Sequence, residues 1–450
     1  MAKLFGTDGI RGKANEYPIT PEIALWTGKA IAKTFIESGK EHPRAIIGKD
    51  TRLSGYMLET ALTSGLVSMG MDVFEIGPLP TPAVAHLTRS MCADCGIMIT
   101  ASHNPATDNG IKIFDSEGYK LADELESRIE TEVFSMLSHH SSGGRSGIGK
   151  AFRIEDARGR YIEFAKSSIK NHSLSGVKAV LDCANGAAYY IAPLIFKELG
   201  VDLIRTATSP DGTNINENCG AMCPQNMVRL VKEHKADIGI SLDGDADRVI
   251  FSDQFGNIVN GDRIIGLCAL DYKVRNRLSN NTIACTLMSN MGLIEAMKKA
   301  GIRTEITSVG DRYVIERMRD LDLNLGGEQS GHLIFRDYAT TGDGIISALH
   351  VIRLMKRKGQ SLHELASGFM TEFPQRITSI PVQEKVPLEN LPEVSDVIHK
   401  AETELSETGR VMVRYSGTEN KCRVLVEARD ADKADLWSKN ICTVIRKTLS

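Results

Sequence analysis

The feature that most constrains this chain is an alternation that recurs three times. Short apolar runs rich in β-branched residues are each followed by a segment whose apolar residues fall at helical spacing. In the first round residues 45–49, 72–76 and 96–100 read as strands, with helices over 23–38, 58–69 and 121–137. In the second, 177–182, 201–205 and 237–243 are strands, with helices over 188–199 and 226–234. The third, from 262 to about 368, has strands at 282–287 and 303–307 and a helix over 292–300. Such alternation folds as layered α/β domains. From residue 372 the runs shorten, which predicts a smaller α+β domain. A chain of 450 residues is too long for one core. The expected fold class is therefore α/β, with three α/β domains plus a C-terminal α+β domain, divided at 1–150, 151–258, 259–370 and 371–450.

Charge and composition remove several classes of function. The net charge is −3, and no Lys/Arg-rich tract carries interleaved aromatics, so a nucleic-acid partner is not expected. No run approaches the roughly 20 apolar residues of a membrane span, and the start MAKLFGTDGI has no apolar leader, so the expected location is the cytoplasm. The nine cysteines are scattered and odd in number, which fits reduced thiols. Cys92/Cys95 and Cys219/Cys223 have ligand-like spacing but no histidine nearby, and read as small buried residues, not zinc ligands. Residues 138–149 are polar and Gly/Ser-rich and mark a linker. The stretch from Gly144 to Ala151 nearly spells a P-loop, but Ala151 stands where a Mg²⁺-holding hydroxyl belongs and no strand precedes it.

Four stretches carry chemistry. Residues 96–114, GIMITASHNPATDNGIKIF, place a hydroxyl, Ser102, at a strand end, with His103 beside it and Lys112 on the next β-like run. An ordinary Ser/Asn/Pro turn is the plain alternative. Near the start, KLFGTDGIRG carries Asp8 and Arg11 among glycines that allow close backbone approach, and Arg11 offers a fork of donors for phosphate or carboxylate.

The strongest metal signal is Asp243-Gly-Asp245-Ala-Asp247-Arg248, three carboxylates at i, i+2 and i+4 after an apolar strand. They repel unless a cation sits among them. An EF-hand is excluded by Arg248 and Gln254 at the positions needing Gly and Glu. An aspartyl-phosphate hydrolase with Asp243 as nucleophile, a single Mg²⁺ held by all three aspartates with Arg248 against a phosphate, and a solvated acidic turn stay open. GGEQSGH puts Glu328, Ser330 and His332 on alternate positions of what reads as an extended loop, facing one way as partners for sugar hydroxyls or an amine, a polar turn being the equal alternative. RYSGTE joins Arg414 to Ser416, Gly417 and Thr418, with Arg423 opening the next strand, a cradle for a phosphate that is bound and not broken.

FGTDGIRG, TASHNP, DGDADR, GGEQSGH and RYSGTE, in this order and covering essentially the whole chain, resemble the motifs of the α-D-phosphohexomutases. The resemblance implies four domains around a central cleft, three α/β mixed-sheet domains plus a C-terminal α+β domain, and reversible phosphoryl transfer on a phosphosugar. It implies a phosphate on Ser102, one Mg²⁺ per chain held by Ser102, Asp243, Asp245 and Asp247, and sugar contacts from Gly310, Glu328, Ser330 and His332. Arg414, Ser416, Gly417, Thr418 and Arg423 would hold the non-reacting phosphate, while His103, Arg11, Lys112 and Arg248 serve proton transfer or the moving phosphate. A hexosamine or hexose 1,6-bisphosphate is the implied intermediate and activator, and a homodimer a possible assembly. DARGRYIEF, DCANGAAY, DGTNIN and VGDRYV are most similar to members acting on hexosamine phosphates in amino-sugar and cell-wall precursor synthesis, members acting on mannose or glucose phosphates being the alternative. An Asp-dependent sugar phosphatase and a non-catalytic sugar-phosphate binding protein are the remote readings. Tyr415 and Asn420 depart from the proline common in relatives.

Overall fold

The computed structural model describes residues 3–6, 8–37, 39, 42–139, 147–415 and 420–449. The chain forms two compact units, Met1–Leu287 with Arg303–Ser367, and Met288–Ile302 with Gly368–Ser450.

Among the described residues the first unit holds three mixed sheets, and one strand order recurs in all of them. In the first sheet Arg44–Lys49 lies between Asp72–Pro78 and Cys95–Ile99, parallel to both, and Cys95–Ile99 is flanked on its other side by the antiparallel Asp108–Asp115. In the second, Lys178–Asp182 lies between Asp202–Thr206 and Ile238–Leu242, and Val249–Asp253 returns antiparallel to Ile238–Leu242. In the third, Thr282–Thr286 lies between Arg303–Thr307 and Leu325–Gly327, with Leu333–Phe335 returning. Each sheet therefore reverses direction after its third parallel strand. The segments that make the reversal, 100–107, 243–248 and 328–332, carry TASHNP, DGDADR and EQSGH. They lie beyond the carboxyl end of a parallel strand next to the point where the strand order switches, the usual ligand crevice of open α/β sheets.

The strands that deliver these loops are apolar because both of their faces are covered. All five residues of Cys95–Ile99 and of Ile238–Leu242 are buried, as the continuous run of apolar and small residues in each requires. Thr20 accepts from the Ile23 amide at 3.3 Å at the start of the helix Pro21–Glu37, as its Thr-Pro pair predicts. The first sheet extends beyond the expected boundary at residue 150, because Ala151–Arg153 pairs parallel with Asp72–Pro78. At the other edge, Phe5–Gly6 and Gly9–Lys13 form a hairpin on Asp108–Asp115, so the Gly-rich start is strand and not merely turn. The expected linker at 138–149 lies largely outside the described residues, which omit 140–146.

The second unit has an antiparallel sheet, Gln375–Pro381, Lys421–Ala428 and Gly409–Tyr415 in spatial order, packed with the helices Pro392–Leu405 and Ala431–Leu449. The helix Met291–Lys299, expected within the third α/β domain, belongs to this unit. Buried Glu427 accepts from the Met291 amide at 2.6 Å and from Arg410 at 2.7 Å, and Asn290 exchanges two hydrogen bonds with the backbone of Phe373. No helix among the described residues is long and apolar enough to cross a membrane.

Candidate active site

Ser102 follows the fully buried strand Cys95–Ile99 and is itself 1% exposed, with φ at 51°. A non-glycine residue enters that left-handed region at a cost. Its Oγ donates to Asp243 Oδ2 at 2.6 Å and lies 3.4 Å from His103 Nδ1. The serine loop and the acidic loop touch closely enough to fix a residue type. A Cβ on Gly244 would stand 2.5 Å from the Ser102 carbonyl oxygen, so only glycine fits there.

Asp243, Asp245 and Asp247 are all buried, and one oxygen from each can be chosen so that all lie within 4.8 Å of one another. Their remaining oxygens are tied down. Asp243 Oδ1 accepts from the Arg248 amide at 3.1 Å; Asp245 Oδ2 accepts from Thr81 at 2.6 Å and Lys112 at 3.0 Å; Asp247 Oδ2 accepts from Lys112 at 3.1 Å. That leaves Asp245 Oδ1 and Asp247 Oδ1 buried without a hydrogen-bond partner. Burial, reinforced by Asp247 and Asp245, pushes the Asp243 carboxyl well above the usual range, whereas Lys112 and the Thr81 hydroxyl overcome burial at Asp245 and hold it low. An all-oxygen donor set with two unsatisfied buried carboxylate oxygens fits a hard divalent cation. The triad can bind a metal.

Cationic groups surround the triad. Burial works against charge on Lys112, but Asp245, Asp247 and Asp8 raise its pKa and keep it an ammonium. Arg248 presents a guanidinium nitrogen 3.2 Å from His103 Nδ1, and its Nε has no hydrogen-bond partner. Burial, then Arg248 and Arg11, lower His103 to about 4, so the imidazole is neutral at neutral pH.

A second network reaches from the first sheet to the third. Asp8 binds Arg11 and Lys120 and lies 3.5 Å from Lys112; Lys120 also pairs with Asp311 at 2.5 Å, and Asp311 lies 3.4 Å from His332 Nε2. Burial would raise the Asp8 and Asp311 carboxyls, but Lys112, Lys120 and Arg11 in the first case, and Lys120 and His332 in the second, hold both low. Sequence reasoning gave Asp8 and Asp311 no role, although both sit inside quoted motifs. It missed Lys120 altogether.

Of the two forms open to the 328–332 segment, an extended loop and a polar turn, the structure has the turn. The Gly331 amide donates to Glu328 O at 3.0 Å, the Glu328 amide to His332 O at 2.9 Å, and Gly331 makes the reversal at φ 93°. Alternation therefore does not set the side chains. Glu328 Oε1 accepts from the Gly310 amide at 3.1 Å, and Ser330 Oγ approaches Glu328 Oε2 at 3.5 Å. His332 turns instead to Asp311 and to the Gly342 amide, 3.2 Å from Nε2.

In the second unit, Arg414 and Arg423 stand directly opposite each other on antiparallel strands. Like charges so placed oppose pairing. Burial and then Arg423 lower the Arg414 pKa. Ser416, Gly417 and Thr418 lie outside the described residues.

Four family models match along the chain: phosphoglucomutase/phosphomannomutase alpha/beta/alpha domain I over residues 2–139, domain II over 159–256, domain III over 260–373 and the C-terminal domain over 378–444. A phosphoglucosamine mutase of Geotalea uraniireducens is 51% identical over 450 residues, covering 100% of this chain and 99% of its own. Among solved structures, a phosphoglucomutase/phosphomannomutase family protein from Burkholderia thailandensis shares the fold with a TM-score of 0.82 at 22% identity, covering 99% of this chain and 97% of that one. The N-acetylphosphoglucosamine mutase of Aspergillus fumigatus, solved with GlcNAc-6P and magnesium, matches with a TM-score of 0.69 at 19% identity over 100% of this chain and 96% of that one.

Proposed function

We propose how this chain, which belongs to the phosphoglucomutase/phosphomannomutase family and to its phosphoglucosamine mutase branch, interconverts glucosamine 6-phosphate and glucosamine 1-phosphate. Ser102 carries a phosphoryl group. The P–Oγ bond breaks as the free 1- or 6-hydroxyl oxygen of the sugar forms its own bond to phosphorus, and the hydroxyl proton ends on the departing Ser102 Oγ, giving glucosamine 1,6-bisphosphate and the free serine. The bisphosphate reverses in the site, its other phosphoryl group returns to Ser102 Oγ, and the isomeric monophosphate leaves. Nothing is consumed. The observation that carries this reading is the buried Ser102 Oγ, 2.6 Å from the first of three clustered aspartates, of which Asp245 and Asp247 each keep one buried oxygen without a hydrogen-bond partner.

Asp243, Asp245 and Asp247 would hold Mg²⁺, which when bound neutralises charge on the phosphoryl group at Ser102. Lys112 keeps Asp245 and Asp247 turned so that one oxygen of each stays free. Arg248, fixed against His103, meets the equatorial oxygens of the moving phosphoryl group, where preorganised donors stabilise developing charge. Arg11, held by Asp8, is a further donor to it. Glu328 and Ser330, with the Gly310 and His332 segments beside them, take the sugar hydroxyls and amine. Arg414 and Arg423, with Ser416, Gly417 and Thr418, hold the phosphate that is not transferred. The carboxylate of Glu328 favours an ammonium substituent, which supports a hexosamine over a neutral hexose. Turnover of glucosamine 6-phosphate, mannose 6-phosphate and glucose 6-phosphate tests the substrate. Glucosamine 6-phosphate has the highest kcat/KM if the reading holds, and preference for either neutral sugar overturns it.

A further inference from the structure

Three residues outside the reacting groups close a ring on the backbone of Ser102. Its amide donates to Thr100 Oγ1 at 2.8 Å, and the Thr100 hydroxyl donates to Asp50 Oδ2 at 2.7 Å. Arg52 Nε donates to that same Asp50 oxygen at 2.8 Å, while another nitrogen of its guanidinium donates to the Ser102 carbonyl at 3.0 Å, completing the circuit. The peptide groups on both sides of Ser102 Cα are thus held by one set of side chains. The ring is dry: Arg52 and Thr100 are 0% exposed and Asp50 1%.

Arg52 does more than close the ring. Its other N–H groups go to the carbonyls of Asn104, Pro105 and Asp108, so all five guanidinium hydrogens have acceptors on the serine loop or Asp50. From the second sheet's side, Asn216 Nδ2 donates to the carbonyls of Ser102 and Asn104 at 2.9 and 3.0 Å. A buried guanidinium is expensive to desolvate unless fully satisfied. Here four of the five N–H groups are spent on the segment 102–108, whose serine sits in an unfavourable backbone region, which is the arrangement expected where surroundings over-determine a strained functional residue.

We propose that Asp50, Arg52 and Thr100 are positioning residues for phosphoryl transfer, locking Ser102 in its left-handed conformation so that Oγ faces the triad in both half-reactions. The proposal rests on Ser102 being the phosphoryl carrier. None of the three touches substrate. They act through the geometry of one Oγ, so their loss lowers kcat and leaves KM in place.

The test is Thr100→Val, which keeps the buried shape and removes both hydroxyl bonds, with Thr100→Ser as the conservative rescue and Ser102→Ala alongside. Turnover of glucosamine 6-phosphate by Thr100→Val should lose about tenfold to a hundredfold in kcat, as misplacement of a reacting atom does, with KM changed by less than about twofold. Thr100→Ser should recover most of that loss. Thermal melting of each variant separates geometry from folding. If Thr100→Val does not fold, Asn216→Gly serves instead: residue 216 has φ at 59°, which glycine accepts, and the variant removes a donor to the same carbonyl. It should lower kcat alone. Unchanged kcat in the folded variant, or equal losses in Thr100→Val and Thr100→Ser, overturns the proposal. Retained turnover by Ser102→Ala instead overturns the underlying assignment of Ser102.

Discussion

Replacing Gly244 by alanine strikes at the contact between the serine and acidic loops. The new Cβ would meet the Ser102 carbonyl oxygen at 2.5 Å, Asn216 Nδ2 at 2.9 Å and Ile215 Cδ1 at 2.9 Å. The side-chain ends can swing aside. The carbonyl cannot do so cheaply, because Arg52 and Asn216 both hold it. Ordinary contact begins at 3.4 Å, so the two loops must part by about 0.9 Å (3.4 − 2.5). Displacement of that size at a reacting centre costs roughly a hundredfold in rate, and the overpacking itself about 1 to 3 kcal/mol of stability. Steady-state turnover of glucosamine 6-phosphate, with melting of the same sample, measures both. Gly244→Ala should stay folded at the assay temperature and lose about two orders of magnitude in kcat. Turnover near that of the unaltered protein would refute the claim that this contact sets the reactive geometry.

Two further outcomes follow from other parts of the molecule. Arg414→Ala removes a charge-assisted contact worth about 1.5 to 3 kcal/mol, so affinity for glucosamine 6-phosphate, read by calorimetry, should fall roughly tenfold to a hundredfold; unchanged affinity would count against the anion cradle. His350 is packed against Phe335 with ring centroids 4.7 Å apart; burial and then Arg353, Arg277, Arg275 and Arg357 lower its pKa to about 3. The unfolded chain takes up this proton near pH 6.5 and the folded one does not, so His350 contributes its full stability above pH 6.5 and loses it as pH falls. The stability gap between His350→Phe and the unaltered protein should therefore shift in the variant's favour by up to about 1.4 kcal/mol per pH unit below 6.5. A gap independent of pH would show that His350 is protonated in the fold.

Much of this site was legible because its parts are local. The strands ahead of Ser102 and Asp243 announce themselves by unbroken apolar character, and each empties into a short polar motif whose spacing limits the chemistry. Pairing across the fold was not legible. Ser102 and Asp243 are 141 residues apart, Lys120 and Asp8 112 apart, and nothing around Lys120 or Arg52 separates them from surface cations. Arg52 becomes informative only once the serine loop is seen wrapped around it. The residues of 328–332 left an extended loop and a polar turn equally open, because alternation applies only to extended chain; Gly331 bends the chain into the turn. The placement of Met291–Lys299 depended on Glu427, 136 residues from Met291. Helical periodicity shows that a helix forms, not which unit it joins.

Everything in the proposed reaction turns on Ser102 carrying the phosphoryl group. Intact mass and peptide mapping of the isolated protein, before and after incubation with glucosamine 6-phosphate, address it directly. One phosphate is expected on the peptide containing Ser102, exchanged with substrate and absent from Ser102→Ala, which does not turn over. Phosphate trapped on Asp243, or full turnover by Ser102→Ala, would contradict it.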